Sequence, residues 1–317
     1  MRSATLLAAL VMTLGFARSA SAFCRSTACD ETQQTCPRDE GSCLSEGEPL
    51  YWASGCVDVY VQKDGAPSEG IDWETTATSL QRAFDTWLGT DCDGAPPSLQ
   101  VNVMGPIECH RTEYNSEGRN ANIVMFREQD WPYQGSGNAL ALTRPRFKLN
   151  GPGDIYDADI EINSYGYDFD VSGERSDKAD LDSVLTHEVG HWLGLDHSSE
   201  SEATMVEHFP GGTSFRTLAS DDQRGICSIY PPNRKPATAS CAPRHGFSER
   251  CLADQTPDEL AMGDADDAGC SLGARGVGAV TPWPTGLAAS AICAAFAGSW
   301  LRRNRPRTAR RRARTAA

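Results

Sequence analysis

The sequence lacks closely paired cysteines, although it contains 12 cysteines among its 317 residues. No C-x-x-C pair occurs, which argues against a cysteine-based zinc site. Positive charge is also scarce: the net charge is −14, and it falls to −24 for residues 23–300 when the ten arginines near the two ends are set aside. A body this acidic does not bind nucleic acid through its electrostatic field. Internal repeats are absent as well.

The N-terminus lacks a hydrophobic run long enough for a transmembrane helix and has a shorter apolar run instead. Arg2 precedes an apolar run over residues 4–16, and Ala20-Ser21-Ala22 follows it as an A-x-A cleavage site. The run is too short to span a bilayer comfortably, so residues 1–22 are predicted to be a signal peptide. We therefore expect an exported protein.

Ten of the cysteines precede the C-terminal tail, at positions 24, 29, 36, 43, 56, 92, 109, 227, 241 and 251. An even set in an exported chain predicts disulfides, whose pairing the sequence leaves open. The first four are expected to staple a short N-terminal arm, and Cys241 and Cys251 to close a local loop. For Cys36 a second interpretation is a thiolate that plugs a metal site, but its many cysteine neighbours favour a disulfide.

Periodicity predicts an α+β domain. Alternating or apolar runs predict strands at 57–61, 99–103, 122–126, 139–143 and 155–162, and helical patterns cover 72–88, 180–193 and 220–229. The composition then divides the chain into a signal peptide (1–22), a Cys-rich arm (23–46), a catalytic domain (47–232), a Pro- and acid-rich linker (233–269) and a C-terminal sorting or anchor segment (270–317).

One motif of 11 residues carries the predicted chemistry: His187-Glu188-Val189-Gly190-His191-Trp192-Leu193-Gly194-Leu195-Asp196-His197. Two histidines four positions apart share one face of a helix, so both can bind one zinc ion. Gly194 can end the helix in a left-handed conformation and bring in His197 as a third ligand. Glu188 is placed to act as the general base of a zinc-dependent hydrolase.

This motif, with Met205 eight residues beyond His197, resembles the metzincin zinc endopeptidases, and within them a bacterial matrixin. Ser198 and the sequence 203–205 match the matrixin pattern, as does 218–222 at the start of the closing helix. The resemblance implies a zincin fold, in which a mixed five-stranded sheet lies above a cleft. It also implies zinc bound by the three histidines, and Met205 beneath them without ligating. An extended protein or peptide substrate would pair with an edge strand, for which 139–143 is the candidate.

The chain also departs from the matrixins. Val206-Glu207 follow Met205 where vertebrate members have Tyr-Pro, and the cysteine-switch propeptide is missing. The aspartates 154, 157 and 159 fall near the family's calcium and structural-zinc sites. No histidine lies there, so a structural zinc site is not expected. The three aspartates either bind Ca²⁺ or form a solvated acidic turn.

The C-terminal tail resembles a myxobacterial sorting signal. Gly269-Cys270 is followed by a weakly apolar stretch, 283–300, and by eight arginines within 302–314. Such a stretch either spans a bilayer or forms a disordered tail. The resemblance implies sorting machinery as a partner and delivery to a Gram-negative outer membrane, the cell surface or the medium.

The sequence thus predicts a secreted or surface-anchored zinc endopeptidase. Two alternatives are a binding or matrix protein that keeps the zinc fold without turnover, and a metal hydrolase of non-peptide substrates. Glu188 argues against the first, because only chemistry requires a carboxylate at that position. The match around Met205 argues against the second.

Overall fold

The apolar runs of the sequence form strands and helices in the predicted order. A computed structural model describes residues 23–29, 36–39, 41–112, 121–133, 136–148, 151–239 and 270–274, all within the compact unit Met1–Val280. The strands are β1 (Cys24–Arg25), β2 (Cys56–Gln62), β3 (Gln100–Ile107), β4 (Ile123–Phe126), β5 (Ala139–Phe147), β6 (Ile155–Ile162), β7 (Phe169–Asp170), β8 (Ala179–Asp180), β9 (Leu195–Asp196), β10 (His208–Phe209) and β11 (Cys270–Ala274). The α-helices are α1 (Trp73–Leu88), α2 (Leu181–Trp192) and α3 (Ser220–Ile229).

The main sheet has the strand order β10-β11-β5-β6-β4-β2-β3. Strands β3, β2, β4 and β6 are parallel to one another, and β5 is antiparallel to β6. The five neighbouring strands β5-β6-β4-β2-β3 form the predicted mixed five-stranded sheet. This confirms the predicted sheet and the α+β class. The two further strands, β11 and β10, extend the sheet beyond β5. The prediction of 139–143 as an edge strand is therefore wrong for this structure, because β11 pairs with the side of β5 that faces away from β6.

The apolar core lies between this sheet and two helices. Asp72 caps α1 by accepting a hydrogen bond from the Thr75 amide at 2.8 Å. Phe84 of α1 meets Trp192 of α2 edge to face, with ring centroids 5.0 Å apart. The indole of Trp52 lies 4.6 Å from that of Trp192. These aromatic contacts fix α2, which carries the motif, against α1 and the chain before β2.

Strand β6 separates this core from a buried polar layer, because successive side chains of a strand point to opposite faces. From Ala158 onward, its residues in the core are Ala158, Ile160 and Ile162. Its buried residues on the other face are Asp157, Asp159 and Glu161. Asp157 and Asp159 are two of the three aspartates predicted as candidate calcium ligands, but strand alternation turns them toward the interior of the protein.

Glu161 is the centre of that polar layer. Arg127 and the hydroxyl of Tyr133 donate short hydrogen bonds to its carboxylate, and Arg144 donates another at 2.8 Å. These four residues form what we call the Glu161 cluster. Burial alone would raise the pKa of Glu161, but the charges of Arg127 and Arg144 hold it below its ordinary value. The cluster is therefore a compensated ion network.

The N-terminal arm is stapled as predicted, by the disulfides Cys24–Cys43 and Cys29–Cys36. Cys36 is therefore not a thiolate plug in this structure. Strand β1 pairs with β9, which leads directly into His197. A third disulfide, Cys92–Cys227, ties the chain after α1 to α3. The disulfide-bonded residues also include Cys56 and Cys109.

The chain continues to pack on the domain after residue 232. Arg234 donates hydrogen bonds to the carbonyls of Trp52, Ser54 and Ser98 at 2.9–3.0 Å. Within the described ranges, no helix combines the length and apolar character needed to cross a membrane. The predicted signal peptide, the loop between Cys241 and Cys251, and the stretch 283–300 lie outside those ranges.

Candidate metal centre

Helix α2 is held rigidly at both ends, and all of its residues are buried. Asp180 caps its start by accepting from the Ser183 amide at 3.0 Å. At its end, the carbonyls of Trp192 and Leu193 accept from the Trp52 indole and the Tyr230 hydroxyl at 2.9 and 3.0 Å. These tertiary donors satisfy carbonyl groups that the helix cannot satisfy itself.

Gly194 makes the turn that the sequence predicts. Its φ is +100°, in the region that side chains disfavour, and a Cβ there would lie 2.4 Å from the Leu50 carbonyl oxygen. The chain reverses at this residue and returns through β9 to His197.

The turn brings the three predicted histidines together. The Nε2 atom of His191 lies 3.0 Å from Nε2 of His187 and 3.2 Å from Nε2 of His197. We call these residues the histidine cluster. Among the described residues, it is the one group of three or more His, Cys, Asp or Glu side chains that could hold a metal ion.

Hydrogen bonds on the far side of two rings fix their tautomers. Nδ1 of His187 lies 2.6 Å from the Thr204 carbonyl, and Nδ1 of His191 lies 2.9 Å from the Leu195 carbonyl. A carbonyl only accepts, so each Nδ1 carries a proton, and in the neutral imidazole each Nε2 then presents a lone pair. The two lone pairs face each other across 3.0 Å and cannot hydrogen-bond. A cation between them is the arrangement that this donor set fits.

The electrostatics of the cluster favour the same state. Burial lowers the pKa of His187 well below its ordinary value. It also lowers the pKa of His191 to about 4 and that of His197 to about 3, with His191 adding to the second shift. The imidazoles are thus neutral at pH 7 and can bind a metal without first losing a proton.

Glu188 is fully buried beside the cluster and is connected to the sheet. The hydroxyl of Thr143, on β5, lies 2.5 Å from Glu188 Oε2 and 3.2 Å from the Glu188 carbonyl oxygen. This contact fixes the orientation of the carboxylate. The role of Thr143 could not be recognised from the sequence, because Thr143 and Glu188 lie 45 positions apart and no local pattern connects them.

Met205 forms the floor under α2. A Cβ on Gly190 would lie 2.2 Å from Met205 Sδ, so the helix approaches the sulfur closely at a residue without a side chain. The Met205 side chain is 1% exposed. Its position beneath the motif agrees with what the resemblance to the matrixins implies, whereas the packing role of Gly190 had no signal in the sequence.

Two aspartates at the start of α3 hold the loop between His197 and Met205. Asp222 accepts from the backbone amides of Thr204 and Met205 at 2.7 and 3.1 Å. Asp221 accepts from the hydroxyl of Ser198 at 2.7 Å. The similarity of 218–222 to a helix start was noted from the sequence, but these bonds were not foreseen.

The candidate calcium residues have other roles among the described residues. Asp154 accepts from the Ala53 amide at 3.1 Å, and Asp159 accepts from the Ile123 amide at 2.8 Å. In the described part of the chain they do not form a metal-binding group with Asp157.

Comparison with known proteins agrees with this geometry. The sequence profile of the family described as Matrixin matches residues 64–231, just over half of the 317 residues. Metalloendoproteinase 1 of Glycine max is 48% identical over 174 residues, which cover 53% of this chain and 49% of that protein. Matrix metalloproteinase-B of Caenorhabditis elegans is 32% identical over 221 residues, covering 65% of this chain and 41% of that protein.

Stromelysin-1 of Rattus norvegicus is 34% identical over 177 residues, which cover 54% of this chain and 30% of that protein. The chain therefore spans half or less of the length of these relatives. The matched region begins before α1, ends after α3 and includes the histidine cluster. By this match and by its α+β metzincin fold, the chain belongs to the matrixin family.

Proposed function

We propose that this protein is a zinc-dependent endopeptidase, with His187, His191 and His197 as zinc ligands and Glu188 as general base. The observation that carries the proposal is the pair of Nε2 lone pairs that face each other while both Nδ1 protons are engaged by carbonyls. Three imidazoles leave a fourth coordination position for water or substrate, as catalytic zinc requires. When bound there, zinc would acidify water and polarise a carbonyl.

Glu188 performs the proton transfers in this proposal. Its carboxylate takes a proton from the attacking water and passes it to the leaving amine. The bond to Thr143 holds the carboxylate in one orientation, so the chain does not have to organise its base during the reaction.

The proposed substrate is an extended segment of protein. Strand β5 carries Thr143, so a peptide that pairs with β5 in the place of β11 runs beside the residue that positions the general base. Main-chain hydrogen bonds supply affinity in such strand addition, and side-chain pockets supply selectivity. The chain after Met205 differs from vertebrate members, and we expect its preferred peptide bond to differ as well.

The rival function is a binding or matrix protein that keeps the fold without turnover. A buried Glu188, oriented by the Thr143 hydroxyl, supports catalysis over this alternative. Burying a carboxylate costs free energy, and a zinc fold without turnover has no need of a base beside the metal. A hydrolase of non-peptide substrates has no observation in its favour in the described structure.

The test is an incubation of the zinc-loaded full chain with an unfolded protein, followed by sequencing of the new termini. We expect internal cleavage, its loss with a chelator and its return with zinc. Binding of the unfolded protein without new termini would support the non-catalytic alternative. If the zinc-loaded chain hydrolyses small esters but no protein, the result would support a hydrolase of non-peptide substrates.

We further propose that the protein is secreted or displayed on a Gram-negative outer surface. The disulfides of the arm support an oxidising compartment. Residues 1–22 would be removed as a signal peptide, and the segment 270–317 would engage sorting machinery. Mass spectrometry of the native protein should find an N-terminus at Phe23 and a C-terminus before residue 283. Intact arginines at the C-terminus would refute the processing.

Calcium remains a prediction without a ligand group among the described residues. If calcium binds, millimolar calcium should raise the melting temperature of the protein, and magnesium should not reproduce the effect. An unchanged melting temperature would leave the three aspartates as structural residues.

A further inference from the structure

Strand β11 comes from the predicted sorting segment, yet it lies in the main sheet between β5 and β10. It is antiparallel to β5, where Cys270 pairs with Thr143 and Leu272 with Ala141. It is parallel to β10, where Gly273 pairs with His208 and Ala274 with Phe209. The segment is thus an extended peptide held along both edges by main-chain pairing.

This segment occupies the peptide-docking position of the proposed function. Thr143, the partner of Cys270, is the residue whose hydroxyl contacts Glu188. Strand β11 also contacts α2, which carries the histidine cluster. Its backbone therefore passes beside the general base, at the place that a substrate strand would take.

We propose that residues Cys270–Ala274 are an internal ligand of the cleft, which competes with substrate for β5 and β10. The competition with substrate rests on the proposed function, whereas the docking of the segment on β5 rests on strand pairing alone. Because ligand and site belong to one chain, their association is intramolecular, and tethered ligands reach effective concentrations in the millimolar range. A substrate segment must displace the internal strand before it pairs with β5.

The pairing can be removed with little other change. Successive amides of a strand point to opposite edges, so the double substitution Ser271→Pro/Leu272→Pro removes one donor on each edge. The matched control, Ser271→Ala/Leu272→Ala, keeps both donors. Both double variants are made in the full chain carrying Glu188→Gln, so that the segment is not cut during the measurements. The full chain with Glu188→Gln alone is the parent protein.

Two readouts follow from the pairing. Hydrogen exchange at the amides of residues 139–143 should be slow in the parent and the alanine control, and faster in the proline variant. The probe for binding is a fluorescent synthetic peptide of residues 268–277 with Cys270→Ser. It should bind the proline variant roughly 2–10-fold more tightly than the other two proteins, because the site is no longer filled in cis.

Equal exchange and equal probe affinity in all three proteins would overturn the inference. The outcome is separable from that of the proposed function. If the docking effects are found but the chain with Glu188 intact cleaves no protein, the docking stands and the peptidase fails. If the chain cleaves protein but the proline variant matches its control, the peptidase stands and the docking fails.

Discussion

The histidine cluster and the Glu161 cluster are both buried groups of ionisable side chains, but their charges are balanced in different ways. Around Glu161, two arginines compensate the carboxylate, and its pKa is lowered. Around the histidines burial is the largest cause instead: it lowers their pKa values, and their Nε2 atoms converge. The first group is complete without a ligand, whereas the second presents lone pairs that a cation would satisfy.

This difference separates a structural role from a chemical one. Buried charges that pair within the protein hold strands together. Removing one partner leaves the other charge buried and uncompensated, which lowers the stability of the fold. Buried neutral bases that face each other cost stability until a metal binds. The two clusters should therefore respond in opposite ways to substitution: one in folding, the other in metal affinity.

The largest expected effect is the loss of metal from the histidine cluster. His191→Ala removes the ring whose Nε2 lies within 3.2 Å of both other Nε2 atoms. We expect the affinity for zinc to fall by more than about 100-fold, a larger loss than that from removing a group that only hydrogen-bonds to a ligand. Competition with a chromophoric chelator measures it. His110→Ala, at an exposed histidine outside the cluster, is the control and should bind zinc normally.

Glu161→Ala should lower the stability of the fold and leave the affinity for zinc unchanged. It leaves Arg127 buried without its carboxylate, and we expect the free energy of unfolding to fall by about 3–5 kcal/mol. Urea unfolding measures the change, and Glu108→Ala, at an exposed ion pair, should cost far less. Loss of zinc from a Glu161→Ala protein of normal stability would erase the distinction between the clusters.

Gly190→Ala tests the packing that supports the histidine cluster. Its new Cβ would collide with Met205 Sδ and Trp87, and overpacking of this kind costs about 1–3 kcal/mol of stability. Met205→Ala in the same chain should recover part of that loss, since it removes the sulfur. If the two losses simply add, the helix does not rest on Met205 as described.

Asp159 and Glu161 offer the finest contrast, because their pKa values move in opposite directions. Burial raises the pKa of Asp159 to about 7, above the value of about 4 in an unfolded chain. Between these values the folded state holds a proton that the unfolded state has lost, so stability falls as pH rises.

Asp159→Asn should flatten this part of the pH profile, while its side-chain oxygen can still accept from the Ile123 amide. Urea unfolding of both proteins at several pH values between 4 and 7.5 gives the comparison. Stability of the parent that rises over this whole range would contradict the raised pKa of Asp159.

Local patterns predicted most of the fold. The last helix and the strand at 155–162 were predicted with the bounds that the structure has, because each is a periodic run with clear ends. Strand β5 is longer than predicted and runs through Pro145 to Phe147, since pairing with β6 extends it. Strand β11 was not foreseen, because it depends on pairing across more than 100 residues rather than on its own pattern.

The candidate site shows the same division. The motif itself predicted the histidine cluster and the left-handed Gly194, because helix spacing and turn chemistry are local. Thr143, Asp222 and the arginine-compensated Glu161 of β6 could not be found in this way. Their roles depend on which distant backbone or charge the fold brings to them.

The most direct test of the central claim is the substitution Glu188→Gln in the full chain, with zinc content and cleavage of an unfolded protein measured on the same sample. Gln keeps the size of the side chain but cannot accept the proton. We predict unchanged zinc content and a kcat lower by about 10²–10⁴, the usual contribution of a general base. Cleavage at the rate of the parent protein, with zinc bound, would contradict the account.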